Sequence, residues 1–134
     1  MLNRRYVLLA SAAALAAGPS CMAQASPSIK IYKDASCGCC TAWVDHLKVE
    51  GFKIEVDEAQ DMAAIKAKYG VPDDLTSCHT GVIAGYAIEG HVPVREIQRL
   101  LKERPAAIGL AVPGMVVGSP GMEQGSRVDP YTVL

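Results

Sequence analysis

The stretch IKIYKDASCGCCTAWVDHL, residues 29–47, decides how this chain reads. Its first five residues, Ile29-Lys30-Ile31-Tyr32-Lys33, alternate apolar and polar, the period-two pattern of a strand. From Cys40 onward the apolar positions Trp43, Val44 and Leu47 recur at helical spacing. Between strand and helix lies a turn with three cysteines in four positions, Cys37, Cys39 and Cys40. A strand that feeds a helix through such a turn predicts an α/β domain with its chemistry at the turn.

Working outward, Gly51 suits the residue just past the helix end, where a left-handed conformation is common. Phe52-Lys53-Ile54-Glu55-Val56 alternates again as a second strand. Asp61 can cap a second helix that carries Met62, Ile65 and Tyr69 on one face, with Met62 read as core, and Gly70 and Pro72 close it. Leu75 to His79 is a loop. Thr80–Ile83 and Tyr86–Glu89 flank Ala84-Gly85, a hairpin signature. Pro93 fits the first turn of a third helix with Val94, Ile97 and Leu101 inward. The order β-α-β-α-β-β-α is thioredoxin-like. In folds of that kind the loop entering the third strand packs on the turn after the first, which brings Cys78 and His79 to Cys37–Cys40. Beyond Arg104-Pro105 the chain is rich in Gly and Pro and repeats Pro-Gly-Met at 113–115 and 120–122. It reads as an ordered loop over the domain.

The front of the chain has a different texture. Arg4 and Arg5 precede an apolar run from Tyr6 to Ala17, and Ala23-Gln24-Ala25 has the form of a cleavage site. Residues 1–25 therefore read as a secretory signal peptide. The run is too short for a membrane span, which needs about 20 apolar residues. Gly18-Pro19-Ser20 before Cys21 fits a lipid-attachment site poorly. The mature chain, 26–134, is then one small periplasmic domain with no membrane attachment. Taking Arg4 and Arg5 from the 13 basic residues, against 14 acidic ones, leaves a net charge of −3. With one Trp, one Phe and no basic run, nothing points to nucleic acid.

The thiols carry the chemistry. In an oxidising compartment four cysteines suggest disulfides, with three possible connectivities. Yet Cys37, Cys39 and Cys40 crowd one turn, whereas structural bridges usually join distant segments. Cys37 and Cys40 form a C-x-x-C at a helix start, where the helix N-terminus favours a thiolate. That serves a redox pair and a metal site equally. Cys39 discriminates, because a third thiol invites mispairing in an oxidoreductase but suits thiolates that bridge several metals. Cys78, His79, His91, Met115 and Met122 add soft or borderline donors, and thiolate and thioether ligands select Cu(I). His46 lies two turns along the first helix, about 10 Å from Cys39, and reads as a surface residue.

SCGCC (36–40), SCHTGVIAGYAIEGHVP (77–93), GLAVPGMVVGSPGME (109–123) and VDPYTVL (128–134) together resemble the CopG-like periplasmic copper-resistance proteins. The resemblance spans the mature chain. It implies a thioredoxin-like fold and a copper site on Cys37, Cys39, Cys40, Cys78 and His79, with Met115 and Met122 as further donors and His91 as a weaker candidate. It implies more than one copper ion in a cysteine-bridged cluster, with cycling between Cu(I) and Cu(II) and hence copper oxidoreductase activity left open. Partners are then copper ions and other periplasmic copper-handling proteins. Related chains continue past the last motif with a short strand, so a terminal edge strand is expected to be missing. Two other readings stand beside this one: a thiol–disulfide oxidoreductase using Cys37 and Cys40, and a structural Cys₃His zinc site.

Overall fold

The computed structural model describes residues 26–134; the leader reading and Cys21 lie outside them. The elements in chain order are β1 (Ser28–Lys33), α1 (Gly38–Val49), β2 (Lys53–Glu58), α2 (Met62–Lys68), β3 (His79–Ile83), β4 (Tyr86–Glu89), α3 (Val94–Glu103) and β5 (Gly109–Ala111). They form a mixed α/β domain with one five-stranded sheet in the order β2-β1-β3-β4-β5. β1 pairs parallel with β2 and antiparallel with β3, β3 and β4 form the hairpin, and β5 joins β4 in parallel.

Alternation along β1 separates the two faces. Ile29 and Ile31 are fully buried and join Trp43, Val44 and Leu47 of α1 and Ile97 and Leu100 of α3 in one apolar core. Tyr32 points the other way, toward α2, where its hydroxyl lies 3.1 Å from that of Tyr69. Leu101, expected inward, is partly buried at the margin of the core, and Leu100 takes the fully inward position. α2 has no fully buried residue, so Met62 is half-exposed and not core as expected. The Asp61 carboxylate caps α2 by accepting the Ala64 N–H at 2.9 Å. The hairpin turns at Ala84 and Gly85, both with positive φ (49° and 86°).

β5 was not expected; its residues read as loop. Gly109 explains both the misreading and the strand. A Cβ there would lie 1.7 Å from the Ala87 carbonyl oxygen, so only glycine lets the segment lie against β4. Ala111 and Leu134 then exchange two backbone hydrogen bonds of 2.9 Å, so the last residue of the chain pairs with the edge that β5 presents. Among the described residues no helix is long and apolar enough to cross a membrane.

Candidate metal centre

Three segments converge at one end of the sheet. The first is the turn from β1 into α1. Asp34 ties it by accepting the Ser36 N–H at 2.8 Å and, through its carbonyl, the Cys37 N–H at 3.1 Å. Cys37 is the N-cap of α1 with extended backbone, and its side chain makes no capping bond. Cys39 and Cys40 therefore sit in the first helical turn, where the orphan N–H groups and the helix dipole favour negative charge. Cys37 and Cys40 are joined as a disulfide, while Cys39 and Cys78 are free. Cys39 Sγ lies 3.5 Å from Cys37 Sγ.

The second segment is the loop entering β3. It delivers Cys78 so that the sulfurs of Cys37, Cys39, Cys40 and Cys78 all lie within 4.8 Å of one another. The loop is held from below. The buried Glu89 carboxylate accepts the Ser77 N–H at 2.6 Å and the Thr80 hydroxyl at 2.6 Å, and pairs with the Lys66 ammonium. The Ser77 hydroxyl donates to the Gly114 carbonyl, and the Gly114 N–H returns a bond to Thr76. Gly90 has φ +72°, and a Cβ on it would press 2.7 Å from Ser77, so the loop seats against bare backbone.

The third segment is the Gly/Pro-rich loop. Gly121 lies against the start of α1, since a Cβ there would be 2.6 Å from the Trp43 nitrogen and 3.0 Å from the Cys39 carbonyl. One residue earlier, the Pro120 carbonyl accepts the His91 Nδ1–H at 2.7 Å. That bond fixes the tautomer and leaves the Nε2 lone pair of His91 facing Cys78 Sγ at 3.2 Å. His79 Nδ1 reaches the same sulfur from another side at 3.3 Å. Cys78, His79 and His91 thus form a second ligand group with all donor atoms within 4.8 Å.

Burial sets the electrostatics. The Cys78 thiol is pushed up to about 11, first by burial and then by Cys39 beside it. Burial pushes His79 down to about 3, and neighbouring His91 adds to the effect. Burial also lowers His91, against the raising influence of the Pro120 hydrogen bond. Both imidazoles are therefore neutral at ordinary pH, the form that binds metals. His79 stacks near Trp43, with ring centroids 4.3 Å apart, and its buried Nε2 has no hydrogen-bond partner among the described residues. Its Nδ1 is the ring atom that faces the site, against Cys78 Sγ.

Six of the eight residues expected at the site are brought together: Cys37, Cys39, Cys40, Cys78, His79 and His91. His91, the weaker candidate, has the best-defined donor atom. Met122 is buried in the loop that covers α1, and Met115 is 54% exposed beside the Gly114 anchor. His46 is half-exposed and pairs with Glu123 at 2.9 Å, a surface contact as expected. Sequence reasoning missed the Pro120 carbonyl, the Trp43 stack and the Lys66–Glu89–Thr80 network. The first two leave no signal in the sequence. Lys66 and Glu89 carried no distinct one, since Lys66 is one of two lysines in α2 and Glu89 ends β4.

Over residues 75–122 the chain matches a family model described as "Protein of unknown function, DUF411". That span holds Cys78, His79, His91 and both loop methionines. No curated protein matches the chain. Two solved structures do. One, titled copper resistance protein copG, form 2, is 50% identical, covers 81% of this chain and 87% of its own, and superposes with a TM-score of 0.79. The other, form 1 of the same title, is also 50% identical, covers 81% and 86%, and has a TM-score of 0.78.

Proposed function

This chain belongs to the CopG-like copper-resistance family, and from that premise we propose that it binds copper in the periplasm as part of copper resistance. In this reading residues 1–25 are the export leader and 26–134 the working domain. Copper is the cargo. The single observation that carries the reading is the meeting of four cysteine sulfurs within 4.8 Å, with two neutral imidazoles at their border. Once the Cys37–Cys40 bond is reduced, four thiolates so close repel one another unless cations lie between them, and soft Cu(I) matches soft sulfur. Cys37, Cys39, Cys40 and Cys78 bind and bridge more than one Cu(I), His79 and His91 complete the set, and Met122 is the better placed of the two loop methionines.

The disulfide sets a condition on loading. Cys37 and Cys40 become thiols only after their bond takes up two electrons and two protons, and each releases its proton to solvent as it binds Cu(I). A dithiol reductant supplies the electrons and protons and is itself left as a disulfide. Cys39, at the first helical turn, takes no part in the bond and stays a free cysteine throughout.

The test is the copper content of the mature protein, reduced and loaded with Cu(I) under anaerobic conditions against a competing chelator. Two or more coppers per chain are expected, with a marked loss in Cys39→Ser. If Cys39→Ser holds as much copper as the parent, bridging by that thiol is wrong. A second reading, thiol–disulfide exchange, is favoured by the Cys37–Cys40 bridge. It requires metal-free disulfide-exchange activity that Cys39→Ser leaves unchanged.

A further inference from the structure

The two ligand groups at this end of the sheet share one atom, Cys78 Sγ, and differ in what oxidation does to them. Closing the Cys37–Cys40 bond removes two thiolates from the four-sulfur group. It removes nothing from the other group. Cys78 stays free, His79 Nδ1 and His91 Nε2 lie 3.3 Å and 3.2 Å from its sulfur, and neither histidine is covalently tied to the turn. The Pro120 carbonyl that orients His91 belongs to the Gly/Pro loop and is independent of the disulfide.

We propose that the disulfide form keeps a separate one-ion site made of Cys78, His79 and His91, so that the redox state of Cys37–Cys40 sets how many metal ions the protein holds. The inference rests on the copper-binding reading above and deepens it. One thiolate with two imidazoles is a donor set that suits copper, and a buried methionine, Met122, lies two residues past the Pro120 anchor. His79 Nε2 is buried without a hydrogen-bond partner, so the ring's polar contact is the one its Nδ1 makes with Cys78 Sγ, inside this donor set. In the oxidised state the protein holds one ion in this set. Reduction by a dithiol, which gives two electrons and two protons to the disulfide, frees Cys37 and Cys40 and raises the capacity. The site thus follows the reducing supply around it: low capacity when oxidised, high when reduced.

The experiment uses the full mature chain with the Cys37–Cys40 bond verified intact by mass spectrometry. Co(II) serves as a probe that does not oxidise thiols. The expected result is one Co(II) per chain, with charge-transfer absorption of a single thiolate, and a higher stoichiometry after reduction. His91→Ala is expected to weaken the oxidised-state site at least tenfold. No Co(II) binding by the oxidised chain, alongside several ions in the reduced chain, overturns this inference and leaves the proposed function standing. No binding in either state overturns both. Oxidised-state binding that His91→Ala leaves unchanged but Cys39→Ser abolishes also overturns it, because the ion then sits among the sulfurs.

Discussion

Replacing Lys66 with methionine tests whether the buried carboxylate beneath the Cys78 loop is held by its counter-ion. Glu89 is 1% exposed and Lys66 has a side chain only 12% exposed, so the pair sits where water screens little. Removing one partner of a buried ion pair costs about 3–5 kcal/mol, because the other charge stays desolvated. Glu89 keeps the Ser77 N–H and the Thr80 hydroxyl, which places Lys66→Met toward the lower end, about 3 kcal/mol. For a domain of this size that corresponds to a fall in Tm of roughly 10–20 °C. The assay is urea and thermal unfolding with the disulfide intact. The double variant Lys66→Met/Glu89→Gln removes the charge while keeping an acceptor for Ser77 and a donor for Thr80. It is expected within about 1 kcal/mol of the parent. A loss below about 1 kcal/mol in the single variant, or a double variant no better than the single, refutes the argument that charge burial sets the cost.

Three further outcomes follow from the geometry. Gly121→Ala places a methyl 2.6 Å from the Trp43 nitrogen at φ +85°; steric crowding and left-handed strain together cost roughly 2–4 kcal/mol, and the displaced Pro120 carbonyl releases His91, so copper affinity falls with the unfolding midpoint. The buried histidines, both lowered by burial, are neutral when folded and charge on unfolding, so the unfolded chain binds more protons below its ordinary histidine value near 6.5. Stability is therefore complete above about pH 6.5 and declines as pH falls, by about 1.4 kcal/mol per pH unit toward pH 3 for His79 and with the same sign for His91, and His79→Asn is expected to flatten that slope in equilibrium unfolding. Far from the site, Ala84 turns with φ 49°; Ala84→Gly is expected to gain up to about 1 kcal/mol without changing copper content.

Much of the scaffold was legible because its signals are local. β1 and α1 follow from a period of two giving way to one of 3.6, the Asp61 cap from its place before an apolar run, and the hairpin from Ala84-Gly85. The meeting of Cys78 and His79 with the first turn followed from element order. What the sequence withheld depends on distance or on backbone. β5 is three residues long and begins with a glycine needed for close approach to Ala87, so it looks like loop. Glu89 reads as the outward member of an alternating strand, yet that face is covered by α2 and Lys66. The Pro120 acceptor is a carbonyl, which every residue has. Which of the four crowded cysteines pair is a matter of side-chain position, which spacing alone does not give.

Cys37 stands where helices usually place Ser, Thr, Asp or Asn, and its sulfur does not cap α1. A conventional cap is worth about 1 kcal/mol, and the protein forgoes it at the first turn of a helix that brings Trp43, Val44 and Leu47 to the core. The first-turn amides are left without a side-chain cap beside the cysteine cluster. The same choice that weakens the helix end therefore supplies a fixed positive pole to the thiolates, one that needs no lysine and offers no side chain to compete for metal. Stability and binding pull on this residue in opposite directions. A library selected only for thermal resistance is expected to recover Asp or Ser at position 37, and those clones are expected to be the ones that no longer hold metal at the turn.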